Sequence, residues 1–521
     1  MNQNKRSVWR LGFLICIAVM GQMSHGQSTK KQAKAALKEF ERFIHNDNEH
    51  VRKAAIDGLA ETDPLLVIKP LIAAFSDKSA LVRDSIPPIL AKQTAANSTA
   101  ELTRHLKRSS KPEVKIGILT AFQATRPGVA LNTILSLTGD SDFNVRLTAI
   151  QTIGVYPNDD PRVPTLLLKL TGDKAPVVRL TAIESLMQAN HEDMGKRCLE
   201  LLVSDPDWRV KAMVVEALEG IRLKESITPL IDAMEREKGR IADDCHQALV
   251  ALTGTTYSPN PKVWRSWWNR VKGGFKLPSV ADLAEKKRRI AASMAEYRGS
   301  DHKYPPYHGI KTKSRRMLFI IDVSGSMADK VLLTTQNTER LKAFRERYGK
   351  YEHKIDLARE ELITTIATLP PHVRFNIATY HTTVKAWKTR LVGATQGNKN
   401  AAIKFLSKLS REMVERTSTE SFKTGKTNTF DAMNFAFGLH KLKNNKPTKN
   451  HKVESDTVFL VSDGMPTAGR LTDPNELLRY FGVINRRAKI VFHTIAFGHA
   501  NASLMKPFAD LSGGVYVEIG M

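Results

Sequence analysis

At 521 residues the chain is long enough for two domains, each with its own core. It carries 79 Lys and Arg against 53 Asp and Glu, a formal charge of +26, so its field favours anionic partners: acidic proteins, envelope polymers or membrane surfaces. The bases are spread over both halves, which speaks against a nucleic-acid-binding tail, and 3 cysteines are too few for a disulfide scaffold.

Lys5, Arg6 and Arg10 precede an apolar stretch at 11–20, and small or polar residues follow to Gly26. This is the pattern of a secretory leader, expected over 1–26 with cleavage after Gly26. The apolar stretch is short for a membrane span, so an uncleaved anchor is the lesser alternative, and no other segment can cross a bilayer. The expected location is outside the cytoplasm: secreted, periplasmic or in the cell envelope. Cys16 leaves with the leader. Cys198 and Cys245 then fall in different repeats and are expected to be buried thiols, not a disulfide.

The first half repeats itself. Val51-Arg52, Val82-Arg83, Val114-Lys115, Val145-Arg146, Val178-Arg179, Val210-Lys211 and then Ile241 recur at spacings of 31 to 33 residues. Eight residues after each comes another apolar side chain: Leu59, Leu90, Phe122, Ile153, Leu186, Leu218 and Leu249. Position +4 is often small, as at Ala55, Ala149, Ala182 and Cys245, and offsets of 0, +4 and +8 lie on one helical face. Asp77, Asp140, Asp173 and Asp205 stand five residues before and are expected to be helix N-caps. Second helices are expected at 65–75, 100–106, 129–137, 161–170, 194–203 and 227–234. Two helices per unit of this length make an α-solenoid, and the array over about 32–253 resembles HEAT-like repeats. Its Val-Arg pair reads as architecture, the base pairing with a neighbouring repeat's Asp. Such arrays present extended protein-binding surfaces.

Trp264, Trp267 and Trp268 follow the last repeat, three indoles in five positions, too apolar to leave in water. They are expected to close the solenoid end in a cap that, with a charged helix at 280–297, spans 254–298. A sugar- or partner-binding aromatic patch is the alternative. Residues 299–313, with Tyr304-Pro305-Pro306-Tyr307, read as an interdomain linker.

The most informative stretch is Asp322-Val323-Ser324-Gly325-Ser326, directly after the apolar run Met317-Leu318-Phe319-Ile320-Ile321. A run this apolar reads as a strand buried on both faces of a parallel sheet, and ligands bind at the C-terminal ends of such strands. Downstream, Gly425-Lys426-Thr427-Asn428-Thr429 opens a helix, and 458–464 is a second buried run ending in Ser462-Asp463-Gly464. One carboxylate and two hydroxyls at one strand end, with Thr427 and a second carboxylate at Asp463, suit a hard divalent cation. Further elements alternate: helices at 355–369, 475–486 and 504–511, strands at 373–380, 489–497 and 515–519. Alternation argues for a doubly wound parallel sheet over 314–521.

The region resembles a von Willebrand factor A domain with its metal-ion-dependent adhesion site. That family's pattern is DxSxS, then a Thr in a G-x-T loop, then an Asp in a T/S-D-G turn, filled here by Asp322, Ser324, Ser326, Thr427 and Asp463. The resemblance implies a two-domain chain, an all-α solenoid followed by an α/β Rossmann-like domain. It implies that Ser324, Ser326 and sometimes Thr427 touch the ion, while Asp322 and Asp463 act largely through waters. Mg2+ is the expected ion, with Mn2+ and Ca2+ the alternatives, and an acidic residue of a protein partner completes its shell. Lys426 stands where many members have Gly and adds positive charge beside the ion. Two departures are visible. Residues 328–353 separate DxSxS from the first helix, either as a solvated hairpin or as a lid over the ligand, and a second charged insertion spans 396–423.

No catalytic group is expected. Mg-dependent phosphatases place a second Asp two residues after the first, where this chain has Ser324. Zinc-protease, nucleophile-elbow and phosphate-loop motifs are missing from the sequence. The reading is therefore an exported, non-enzymatic adhesion or binding protein. Its first rival is a scaffold whose solenoid does the binding around a structural A domain, and its second a metal-dependent hydrolase.

Overall fold

The structure, a computed structural model, describes residues 30–156, 160–189, 193–279, 281–283, 307–310, 312–331, 352–414, 426–440, 442, 445, 447–498 and 502–519. The leader, most of the 280–297 helix and of the linker, and most of the 328–353 insertion lie outside the described residues. The chain divides into two compact units, Met1–His191 and Glu192–Met521.

The first unit is helical. Its described helices are α1 (Lys30–Phe43), α2 (Glu49–Asp57), α3 (Pro64–Ala74), α4 (Ala80–Ala91), α5 (Ala96–Arg108), α6 (Pro112–Thr125), α7 (Leu131–Leu137), α8 (Phe143–Ile153), α9 (Arg162–Leu170) and α10 (Pro176–Ala189). The repeat positions behave as a buried face should. Val82, Val114, Val145 and Val178 are at most 4% exposed, and Leu59, Leu90, Phe122, Ile153 and Leu186 at most 1%. Val51, in the first repeat, is only half-buried.

The expected aspartate N-caps are corrected. Ser79 and Asp142 cap α4 and α8. The earlier aspartates instead bend the chain into those caps: Ser79 N donates to Asp77 Oδ1 at 2.7 Å, Asp142 N to Asp140 Oδ1 at 2.8 Å, and Ala175 N to Asp173 Oδ1 at 2.7 Å. These Asx turns leave the second carboxylate oxygen for a neighbouring repeat. Arg52 forks onto Asp77 at 2.7 and 2.9 Å, and Lys115 reaches Asp140 at 2.6 Å.

The second unit opens with α11 (Met194–Ser204), α12 (Trp208–Ile221), α13 (Ile227–Arg236), α14 (Arg240–Thr253) and α15 (Pro261–Val271). Trp264, Trp267 and Trp268 are buried and meet one another, Tyr257 and Phe275 largely edge to face, so they form a packed core and not an open aromatic surface. Cys198 and Cys245 are buried free thiols, pushed up by desolvation, Cys198 to about 12.

A sheet follows, built from β1 (Arg316–Asp322), β2 (Arg374–Tyr380), β3 (Val384–Ala386), β4 (Val392–Gly393), β5 (Thr457–Ser462), β6 (Val491–Phe497) and β7 (Tyr516–Ile519). Its order is β3-β2-β1-β5-β6-β7, with β4 also on β2. Strands β2, β1, β5, β6 and β7 run parallel, while β3 and β4 pair antiparallel with β2. Period-two alternation sends Phe319 and Ile321 into one core layer and Leu318 and Ile320 into the other. The first layer is closed by α16 (Lys354–Thr368) and α17 (Gln396–Leu406), the second by α18 (Thr429–Ala436), α19 (Pro474–Ala488) and α20 (Ala502–Ser512).

Three elements differ from expectation. The short antiparallel strands β3 and β4 carry too few residues to show a period. Residues 396–414, expected to be a charged insertion, contribute α17 and the core residues Ala402, Leu406, Leu409 and Val414. Lys404 and Lys408 are exposed, but Lys399 is buried and donates from Nζ to the Ala367 carbonyl at 3.1 Å, so basic residues interrupt the apolar stripe in the sequence. Among the described residues no helix is long and apolar enough to cross a membrane.

Candidate cation site at the strand ends

The chain leaves β1 for β2 on one side and returns to β5 on the other, so β1 and β5 flank the point where strand order reverses. Their C-terminal ends form the crevice in which doubly wound sheets bind ligands. Asp322 ends β1 and Asp463 directly follows β5.

Asp322 is fully buried. Its Oδ1 accepts from Ser324 N at 2.8 Å and its Oδ2 from Ser462 Oγ at 2.7 Å. Burial pushes its carboxyl up to about 6, and the negative charge of Asp463 adds to the effect. A 3-10 turn at Gly325–Ala328 carries Ser326 back over the strand end. Ser326 Oγ donates to Asp463 Oδ1 at 2.8 Å and stands 3.4 Å from Ser324 Oγ.

Thr427 is brought in by a locked loop. Its N donates to Thr467 Oγ1 at 2.9 Å, and its carbonyl accepts from Thr467 N and Ala468 N. Asn428 caps α18 through Asp431 N. Gly469 lies over Asn428 with φ +101, where a Cβ would fall 2.2 Å from Asn428 Oδ1, so only glycine closes this loop. A Cβ at Gly464 would lie 3.8 Å from both Ser326 Oγ and Thr427 Oγ1, which sets those hydroxyls on one side of the turn. Asp322, Ser324, Ser326, Thr427 and Asp463 thus gather at the ends of β1 and β5. Lys426 is exposed beside them.

No motif marks a sixth group. Lys354, the first residue of α16, donates from Nζ to Asp463 Oδ2 at 2.7 Å and to the Ser326 carbonyl at 3.3 Å. Its side chain is 16% exposed and that of Asp463 1%. Lys354 is separated from DxSxS by the 328–353 insertion, whose ends are stapled by an antiparallel bridge between Lys330 and His353. His353 Nδ1 contacts the Ala328 carbonyl at 2.7 Å, and Lys354 N donates to the Asp329 carbonyl at 3.1 Å. This closure and the packing of α16 through Ile355, Leu357, Leu362 and Ile366 bring the lysine to the strand ends.

The donor set suits a hard cation, being oxygen only, with two carboxylates and three hydroxyls. Among the described residues no three His, Cys, Asp or Glu side chains gather as a metal cluster, so this site brings together only two carboxylates, and hydroxyls make up the rest of its donors. A cation already sits on Asp463, in the form of the Lys354 ammonium. Tyr380 Oη, pushed well above its ordinary value by burial and by Asp322, faces Ser462 and Thr429 without a well-formed hydrogen bond to either, and Thr429 Oγ1 is equally unpaired.

Comparisons with known proteins add the following. Over 173 residues the chain is 28% identical to inter-alpha-trypsin inhibitor heavy chain 4 of Mus musculus, covering 33% of this chain and 14% of that protein. Over 242 residues it is 24% identical to inter-alpha-trypsin inhibitor heavy chain H1 of Mesocricetus auratus, covering 46% of this chain and 21% of that protein. The chain thus spans a minor part of these relatives. Among solved structures, BatB of Bacteroides thetaiotaomicron matches with a TM-score of 0.26 at 12% identity, covering 39% of this chain and 89% of that one. The CpcE–CpcF complex of phycocyanin lyase from Nostoc matches with a TM-score of 0.26 at 12% identity, covering 53% and 98%. At these TM-scores the likeness carries no functional weight. A family model described as HEAT repeats matches residues 99–187 and 163–250, and residues 99–250 are therefore HEAT repeats.

Proposed function

We propose that the chain is an exported, non-enzymatic binding protein whose C-terminal von Willebrand factor A-like domain engages an acidic ligand through a divalent cation. The supporting observation is the gathering of Asp322, Ser324, Ser326, Thr427 and Asp463 at the ends of β1 and β5. Ser324, Ser326 and Thr427 would supply neutral oxygens, and Asp322 and Asp463 the charge. A cation bound largely by hydroxyls stays electrophilic and recruits an anionic oxygen, here a Glu or Asp of a partner protein. Within the chain, Ser462 and the Ser324 amide orient Asp322, and Ser326 orients Asp463. The HEAT repeats provide a second, protein-binding surface.

The test is calorimetric titration of the intact chain with Mg2+, Mn2+ and Ca2+, joined to partner capture from the native envelope with and without EDTA. Binding of an ion that Asp463→Ala or Ser324→Ala abolishes, at near-unchanged circular dichroism, supports the reading. Capture that survives both EDTA and Asp463→Ala would transfer the binding role to the repeats. Hydrolytic turnover lost in Asp322→Ala would make the chain an enzyme.

A further inference from the structure

We propose that Lys354 is a tethered counter-cation: it holds the seat beside Asp463 when no divalent ion is bound and must withdraw for one to enter. The inference rests on the cation site proposed above and deepens it.

Three observations carry it. First, the contact is specific, since the ammonium donates to Asp463 Oδ2 at 2.7 Å and to the Ser326 carbonyl at 3.3 Å. Both acceptors belong to residues of the cluster itself. Second, the pair is largely shielded from water, so the charge of Lys354 weighs more here than on an open surface. Third, the lysine has somewhere to go. Asp329 Oδ2, 67% exposed at the side chain, lies 3.8 Å from the same ammonium, and a lysine stem carries four rotatable bonds. Moving from Asp463 towards Asp329 keeps the charge paired while clearing the inner carboxylate.

With two carboxylates and one ammonium the cluster carries a formal charge of −1, not −2. An incoming ion must therefore outbid a cation that is already tethered. A divalent ion gains more from the carboxylates than the ammonium loses, whereas a monovalent ion gains about as much as it displaces. Lys354 should then weaken divalent binding and reject Na+ and K+ more strongly than the oxygen cluster alone would.

The experiment titrates Mn2+ into the intact wild-type chain, Lys354→Met and Lys354→Gln, and melts each with and without the ion. The proposal expects both variants to bind Mn2+ on the order of tenfold more tightly, to melt lower than wild type without the ion, and to converge on it when saturated. Lys354→Gln, which retains a hydrogen-bond donor, guards against misfolding of the methionine variant. Equal affinities in wild type and both variants would overturn the role of Lys354 and leave the cation site standing. If the variants bind more weakly, Lys354 positions Asp463 for the ion and does not compete with it, and the proposal fails. No binding by any of the three chains would overturn the cation site itself.

Discussion

Asp322 is an ionisable group in a place that favours a neutral one. It is fully buried, faces a second carboxylate at Asp463, and has its carboxyl pushed up to about 6. An unfolded aspartate titrates near 3.9. Between these values the folded chain holds a proton that the unfolded chain has lost, so stability falls as pH rises through this window. Asp322→Asn keeps the shape without the charge. In chelator-treated protein the variant should therefore melt close to wild type at about pH 4.5 and above it at pH 7, by on the order of 1–3 kcal/mol. Its melting temperature should no longer respond to Mg2+ or Mn2+. A gap between the two proteins that does not change with pH, or a variant less stable at pH 7, would show that Asp322 is held for structure. The five oxygen-bearing residues could be read from sequence because each lies at a strand end or helix start that local apolar runs announce. Lys354 could not, because no motif spacing ties it to the strand ends and its contact with Asp463 spans 109 positions.

Between elements, the repeats are held by pairs whose worth depends on the basic partner. Burial alone would push Asp77 up, yet its hydrogen bonds from Arg52 and Ser79 and the charge of Arg52 leave its carboxyl below the usual range. Arg52 and Asp77 are 4% and 9% exposed at the side chain, and the guanidinium also donates to the carbonyls of Asn46 and Asp47. Asp77→Ala strands a buried fork and frees the Ser79 amide, at a cost of about 3–5 kcal/mol. Lys115 and Asp140 form the same kind of pair, but Lys115 is 17% exposed and its flexible stem can carry the charge to water. Asp140→Ala should therefore cost distinctly less in the same chemical denaturation measurement. Equal losses would mean that the Asx turn, common to both aspartates, matters more than the cross-repeat pair. This also explains why the sequence misled about capping. An Asp just ahead of an apolar helical pattern signals a start, but the signal does not separate a cap from the turn before it. The repeat period itself was plain, because a buried face must recur at +4 and +8 whatever the caps do.

At the scale of the molecule, composition puts a linker at 299–313, yet the compact division falls at 191/192, inside the repeat stretch. The reason is long-range contact within the second unit. Arg240 donates to the carbonyls of Asp456 and Lys489, over separations of 216 and 249 positions, and Lys489 pairs with Glu216. Trp208 lies under the guanidinium groups of both Arg240 and Arg316, at 5.6 and 5.2 Å, and its Nε1 donates to the Val453 carbonyl. No local pattern announces pairings between residues so far apart, so neither charge nor periodicity in 193–253 reveals them. Asp456 makes the dependence sharper. Burial raises its carboxyl, and Arg240 is the largest opposing influence. A fragment of residues 193–521 should then melt in one transition, seen alike by circular dichroism and by the fluorescence of Trp208, Trp264, Trp267, Trp268 and Trp387. A fragment of residues 307–521 loses Arg240 and Trp208, uncovers the start of β1 and β5, and should melt about 5–10 °C lower, from a loss of about 2–3 kcal/mol. Arg240→Ala in the longer fragment should reproduce part of that loss. If helices and sheet instead melt separately in 193–521, the contacts at Arg240 and Trp208 do not couple them, and the 299–313 boundary is the functional one.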